Sequence, residues 1–176
     1  MNIAFSIITV TYNSRDNLVK TIRSIQSQSY RHFSHLIKDG LSTDKTNEID
    51  FSNLENTKYV ECKDLGVYDA MNQGLKLSKY EYVIFLNAGD IFLSINTLTD
   101  LAKNIRNNPN FNSYSGGTLQ INPVTKKIKR LIGIGNLYKL FHLAQLPHPS
   151  FIVRRSILSK LNNAFDSNLR ISADYK

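Results

Sequence analysis

The stretch VIFLNAGD (83–90) ends a run of large apolar residues in Asn87, two small residues and the acid Asp90. A carboxylate at the end of a buried strand can give a hard divalent cation one oxygen ligand while diphosphate oxygens supply others. Ala88 and Gly89 leave room for a bulky ligand against the backbone. The same four residues also suit an ordinary turn. Asp39 closes IKDG, where a carboxylate could accept a hydrogen bond from a base N–H or simply cap a turn. Asp44, in the following LSTDKT, suits helix capping better. DLGVYDAMNQG (64–74) gathers Asp64, Asp69 and Asn72 at a loop-to-helix junction, where free amides attract anions such as a diphosphate; capping would use the same acids. His148 stands between two prolines in LPHPSFIVRR, and the stiff loop would hold an imidazole in place. Arg154 and Arg155 could meet phosphate or solvent. Asp174, in the terminal LRISADYK, is one of two acids in a basic region, which would keep it ionised. It could serve as a general base or be an exposed terminal acid.

These residues must be carried by something. IAFSIITVT (3–11) is rich in β-branched residues and reads as a buried strand. YNSRDN breaks it, with Ser14 or Asp16 as caps. Leu18, Ile22 and Ile25 then recur at helical spacing. HFSHLIKDG (32–40), TKYVEC (57–62) and EYVIFL (81–86) read as further strands. Residues 68–78 form a helix with Met71 and Leu75 inward. Leu98, Leu101 and Ile105 mark another helix, ended at Asn108-Pro109. Alternating strands and helices imply an α/β fold with a mostly parallel sheet. Ligands of such sheets sit at the carboxyl ends of the strands, where Thr11 to Asn13, Asp39, Asp64 and Asp90 all fall. Residues 113–133 read as two strands around a turn at Asn122-Pro123. SFIV reads as another strand, and residues 136–146 as an amphipathic segment.

The chain has 176 residues and a net charge of +8, a size that suits one domain. Residues 1–120 hold 12 basic and 12 acidic side chains, whereas 121–176 hold 10 basic and 2 acidic ones. The excess in the last third could face anionic lipid, phosphate or nucleic acid, or only solvent. One cysteine, Cys62, excludes an internal disulfide framework, and no CxxC or HxxxH spacing supports structural zinc. No apolar run is long enough to span a bilayer, and no secretory signal pattern opens the chain. A cytoplasmic location is the expectation.

Five stretches together resemble the family 2 glycosyltransferases of the GT-A fold, in the bacterial polysaccharide-building branch. They are FSIITVTYNSRDNLVKTIRSIQSQSY, IKDGLSTDKT, DLGVYDAMNQGLKLSKYEYVIFLNAGD, HPSFIVRR and FDSNLRISADY, in the family's order and over nearly the whole chain. The resemblance implies a Rossmann-like sheet in one domain. Residues 1–120 would bind a nucleotide sugar, and 121–176 would form a small mixed β, acceptor-side part, cut short at its C-terminus. It places Thr9, Tyr12 and Asn13 at the nucleotide and Asp39 on the base, expected to be uracil. Asp64, Asp69 and Asn72 would surround ribose, diphosphate or donor sugar. Asp90 matches the last acid of a metal-binding DxD motif, with Asn87 standing where an Asp is often seen. An Asn carbonyl oxygen can still ligate, so Mg²⁺ or Mn²⁺ is the implied cofactor. His148 would lie near the diphosphate or metal, and Asp174 would be the catalytic base of a single inverting displacement.

The implied partners are a UDP-sugar donor and a glycan or lipid-linked acceptor, in cell-surface polysaccharide synthesis at the inner face of the plasma membrane. Three alternatives compete. A sugar nucleotidyltransferase would resemble a pattern with a Gly-rich basic loop after the first strand, but TYNSRDN has one Arg and no Gly. A nucleic-acid binder would need the acids at the sheet edge not to repel phosphate, so no nucleic-acid partner is expected. A nucleotide-sugar-binding fragment without transfer would keep the first 120 residues' role alone.

Overall fold

The computed structural model describes residues 2–122, 124–125, 127–132, 148–161 and 163–168. The elements run β1 (Phe5–Thr11), α1 (Arg15–Gln26), β2 (Phe33–Asp39), a 3-10 turn (Thr46–Glu48), β3 (Thr57–Glu61), α2 (Val67–Leu77), β4 (Tyr82–Phe85) and α3 (Thr97–Asn107). Then follow β5 (Ser113–Ser115), β6 (Thr118–Ile121), β7 (Ile128–Ile132), a 3-10 turn (His148–Ser150), β8 (Phe151–Arg154) and the short α4 (Arg155–Leu158). The expected strands and helices of the first 110 residues are present, with ends shifted by one or two positions, as fraying ends do.

Six strands form one sheet in the order β3-β2-β1-β4-β8-β5. The first four are mutually parallel, and β8 runs antiparallel to both β4 and β5. All seven β1 residues are buried, as a central strand covered on both faces requires. On one face Ile3, Phe5, Ile7, Tyr82 and Ile84 pack with Ile25 of α1 and Leu98, Ala102 and Ile105 of α3. On the other, Ile8, Val10, Val83 and Phe85 pack with Ala70, Met71 and Leu75 of α2 and with Ala164 and Phe165. Gly74 lets α2 approach closely: a Cβ there would lie 2.6 Å from Ile8 Cγ2.

The expected pair of strands over 113–133 is corrected to three. β6 and β7 form a separate hairpin around residues 122–127, but β5 leaves it to join the main sheet beside β8. Gly116-Gly117 breaks the run between β5 and β6, and Gly116 N–H donates to Ser150 O at 3.0 Å. The amphipathic segment expected at 136–146 lies outside the described residues.

Candidate functional site

The carboxyl ends of β2, β1 and β4 lie side by side, with Asp39 registered against Thr11. Leu86 N donates to Ile8 O and Ala88 N to Val10 O, which carries the β1–β4 pairing past the strand to Asn87. Three oxygens on these neighbouring ends are buried without a hydrogen-bond partner: Thr11 Oγ1, Asp39 Oδ2 and Asn87 Oδ1. Buried polar atoms are normally paired, so three such oxygens on adjoining strand ends make this edge the candidate binding surface. The other Asp39 oxygen accepts from Ser42 N at 2.7 Å. The Tyr59 hydroxyl is held above its ordinary pKa, by burial first and then by the Asp39 and Glu61 charges.

The loops over this edge are latched together. Asn13, at φ 47°, accepts through Oδ1 from Thr43 N at 2.7 Å, while its own N–H donates to Ser42 Oγ at 2.8 Å. An Asn tolerates this left-handed backbone better than most residues. Asp44 accepts from Arg15 N at 2.8 Å, at the start of α1, and from the Thr46 backbone and hydroxyl. The Thr46 hydroxyl bond, first among the causes, holds its carboxyl below the usual range. Its capping role is therefore double, on α1 and on the 3-10 turn. Tyr12 is 64% exposed, its ring open to solvent at the end of β1.

Beyond β2, Lys38 is wholly buried and its ammonium donates to Asp39 O (2.9 Å), Cys62 O (2.7 Å) and Asp64 Oδ2 (2.7 Å). Asp64 Oδ1 accepts from Gly66 N at 3.1 Å. Asp69 Oδ2 accepts from Leu65 N and Gln73 Nε2, which shapes the start of α2. Asn72, expected around the donor, has both ends of its amide on the Phe165 backbone, at 2.8 and 3.1 Å. It is buried and docks the 163–168 segment onto α2, with Phe165 edge-on to Phe85.

Asp90 follows a turn held by α1. The Thr21 hydroxyl donates to Asp90 O (2.8 Å) and accepts from Gly89 N (2.9 Å), and Gly89 has φ 106°, where a side chain would be strained. Burial raises the Asp90 carboxyl from 3.8 to about 6, opposed in part by a hydrogen bond from the Asn87 backbone. Among the described residues no three His, Cys, Asp or Glu side chains gather where they could hold a cation. The donors that fit one are the desolvated Asp90 carboxylate and the unpartnered Asn87 oxygen. Hard oxygen donors of this number suit an ion that takes its remaining ligands from substrate phosphates and water.

Thr9, expected at the nucleotide, is buried within the sheet. Its hydroxyl donates to Leu86 O at 2.8 Å and pairs with His35 Nε2 at 2.9 Å. Thr9 shares a face of β1 with Thr11 but sits one repeat deeper. His35 is buried, and desolvation lowers its pKa to about 3, so it is neutral. Arg154 pairs with Glu81 at 2.9 Å and stacks on Tyr82. Because β8 is antiparallel, Arg154 lies at the amino end of β4, away from the carboxyl edge. The same reversal brings the His148–Ser150 turn to the carboxyl edge, where it meets β4. The His148 side chain and all of Asp174 lie outside the described residues. Lys38, Ser42, Thr11 and Thr21 emerge as site-shaping residues from tertiary contacts; only Thr11 had a signal in the chain, its place at a strand end.

A family model described as Glycosyl transferase family 2 matches residues 6–161. An Escherichia coli UDP-Glc:alpha-D-GlcNAc-diphosphoundecaprenol beta-1,3-glucosyltransferase is 36% identical over 93 residues, 51% of this chain and 36% of its own. A PGL/p-HBAD biosynthesis glycosyltransferase of Mycobacterium bovis is 28% identical over 97% of this chain and 66% of its own. The chain thus spans less than two thirds of these relatives. The crystal structure of S. aureus TarS 1-349 in complex with UDP-GlcNAc superposes with a TM-score of 0.76 at 23% identity, covering 98% of this chain and 51% of that one. A mannosyltransferase from Pyrobaculum calidifontis, in complex with GDP-Man and Mn2+, gives 0.71 at 18% identity, over 96% and 49% of the two chains.

Proposed function

The chain belongs to glycosyl transferase family 2, and from that premise we propose that it moves a sugar from a UDP-sugar to a hydroxyl of a glycan or lipid-linked glycan, with inversion. The observation that carries the reading is the row of unpartnered buried oxygens on Asp39, Thr11 and Asn87. Asp39 Oδ2 can accept only, which suits the N3–H of uracil. Tyr12 offers an exposed ring for the base to lie against, and Asn13 holds the loop beneath it. Asp64 and Asp69 stand at the ribose and donor side, near the amides that start α2. TarS, as a UDP-GlcNAc complex, and the E. coli relative, as a UDP-Glc enzyme, support a uridine donor. That relative's diphosphoundecaprenol substrate supports a lipid-linked acceptor.

Asp90 and Asn87 would hold Mg²⁺ or Mn²⁺, and His148 is proposed to act near the diphosphate from the turn that meets β4. When bound, the cation offsets negative charge on the departing diphosphate. Asp90 and Asn87 orient that end of the donor, and the Thr21 clip keeps their turn rigid. In this reading Asp174 takes the acceptor hydroxyl's proton as oxygen attacks the anomeric carbon. The excess of basic residues in 121–176 would attract an anionic inner-membrane surface, where such acceptors are anchored. No helix among the described residues is long and apolar enough to cross a membrane.

Calorimetric titration of UDP with Mn²⁺, repeated with EDTA, tests the donor site. Heat that vanishes with chelator is expected; no heat in either condition overturns the reading. Asp174→Asn is expected to leave the UDP heat intact and to abolish transfer, and unchanged turnover removes Asp174 from the mechanism.

A further inference from the structure

We infer that Lys38 is a positioning residue for the nucleoside: its buried ammonium fixes the Asp64 carboxylate relative to Asp39 and so governs recognition of a ribose hydroxyl. The inference rests on the donor reading above, and deepens it.

An ammonium has three donors, and all three are used here. They go to the main-chain oxygens of Asp39 and Cys62 and to Asp64 Oδ2. One wholly buried cation therefore ties the end of β2 to the loop between β3 and α2. A strap between these segments does not need a charge, because well-packed apolar residues commonly replace buried ion pairs without loss of stability. A charged donor makes a stronger and more directional bond to a carboxylate than a neutral one, and so holds its aim.

Asp64 is aimed closely. Its Oδ2 is met by Lys38, and its Oδ1 by Gly66 N–H at 3.1 Å. Gly40 leaves it space: a Cβ at position 40 would lie 2.8 Å from Oδ2. The Asp64 side chain keeps 12% of its surface open, whereas Lys38 keeps none. The Asp64 side chain is thus partly open to solvent, and each of its oxygens already holds one fixed donor. It can only accept further bonds, which suits a sugar hydroxyl and repels phosphate. Because Lys38 also holds the Asp39 carbonyl, a shift of the ammonium changes the spacing between the acid that reads the base and the acid that reads the sugar.

The experiment is calorimetry with Mn²⁺, using UDP, 2′-deoxy-UDP and 3′-deoxy-UDP. The wild-type chain is expected to prefer UDP over at least one deoxy analogue by roughly tenfold or more, as for a hydrogen bond to a charged group. Lys38→Met is expected to bring that preference to parity, as is Asp64→Ala. The double variant should show no further change. Gly40→Ala keeps the ammonium but displaces Asp64, and is expected to weaken the preference as well; it decides the matter together with Asp64→Ala if Lys38→Met does not fold. A folded Lys38→Met or Gly40→Ala chain that retains the full preference overturns the inference. So does a wild-type chain that binds UDP and both analogues equally, while the donor reading survives. A wild-type chain that binds no UDP overturns both.

Discussion

Asp90 shows how one residue can be tuned by where a strand ends. Burial lifts its carboxyl from 3.8 to about 6. The folded chain therefore binds the proton more readily than the unfolded one, and this group's contribution to stability falls as pH rises from about 4 to about 6. A cation needs the ionised form, so metal-assisted UDP binding should strengthen as pH rises through about 6. Asp90→Asn is expected to remove Mn²⁺-dependent UDP binding while raising the melting temperature at pH 7, since a desolvated charge is gone. Calorimetry and a melting curve on the same variant check both. Unchanged UDP binding would make Asp90 a turn residue only. Its neighbour Thr21 has no charge, yet its single hydroxyl holds both Gly89 N and Asp90 O.

At the scale of elements, the site depends on how closely α2 lies on β1. Gly74 is where the two meet. A methyl there must push Ile8, the middle residue of β1. Overpacking of this kind costs about 1–3 kcal/mol, offset by the ~1 kcal/mol that a helix gains from Ala in place of Gly. Gly74→Ala is expected to lower the urea midpoint of unfolding; a raised midpoint would show that helix and sheet have slack. The antiparallel β8 is the other decisive element. It sends the His148–Ser150 turn to the carboxyl edge and Arg154 to the opposite one, so two neighbouring sequence features part by the length of a strand.

For the molecule as a whole, charge is the property that local contacts do not explain. Residues 121–176 carry 10 basic side chains against 2 acidic ones, and the β6–β7 hairpin shows exposed Ile121, Val124 and Ile128 beside this charge. Such a surface is expected to cosediment with phosphatidylglycerol vesicles at low salt and to be released as salt screens the attraction. Absence of binding even at low salt would return these residues to a solvated face.

The sequence by itself determined the alternation of strands and helices through 110, because apolar period and β-branching are local properties. It also determined that polar residues fall at strand ends, which the parallel topology then gathers on one edge. Tertiary structure alone decided which of them face outward. Thr9 and Thr11 are alike in the chain and both are buried, but Thr9 lies deeper and bonds to His35, while the Thr11 hydroxyl has no partner at the edge. Asn72 reads as a site amide until Phe165, distant in sequence, takes both its ends. Nothing local marks Lys38 as buried, and only the return of the chain at Cys62 and Asp64 gives it partners that allow burial. Each of these choices depends on contacts between residues far apart in sequence, and no local pattern records them.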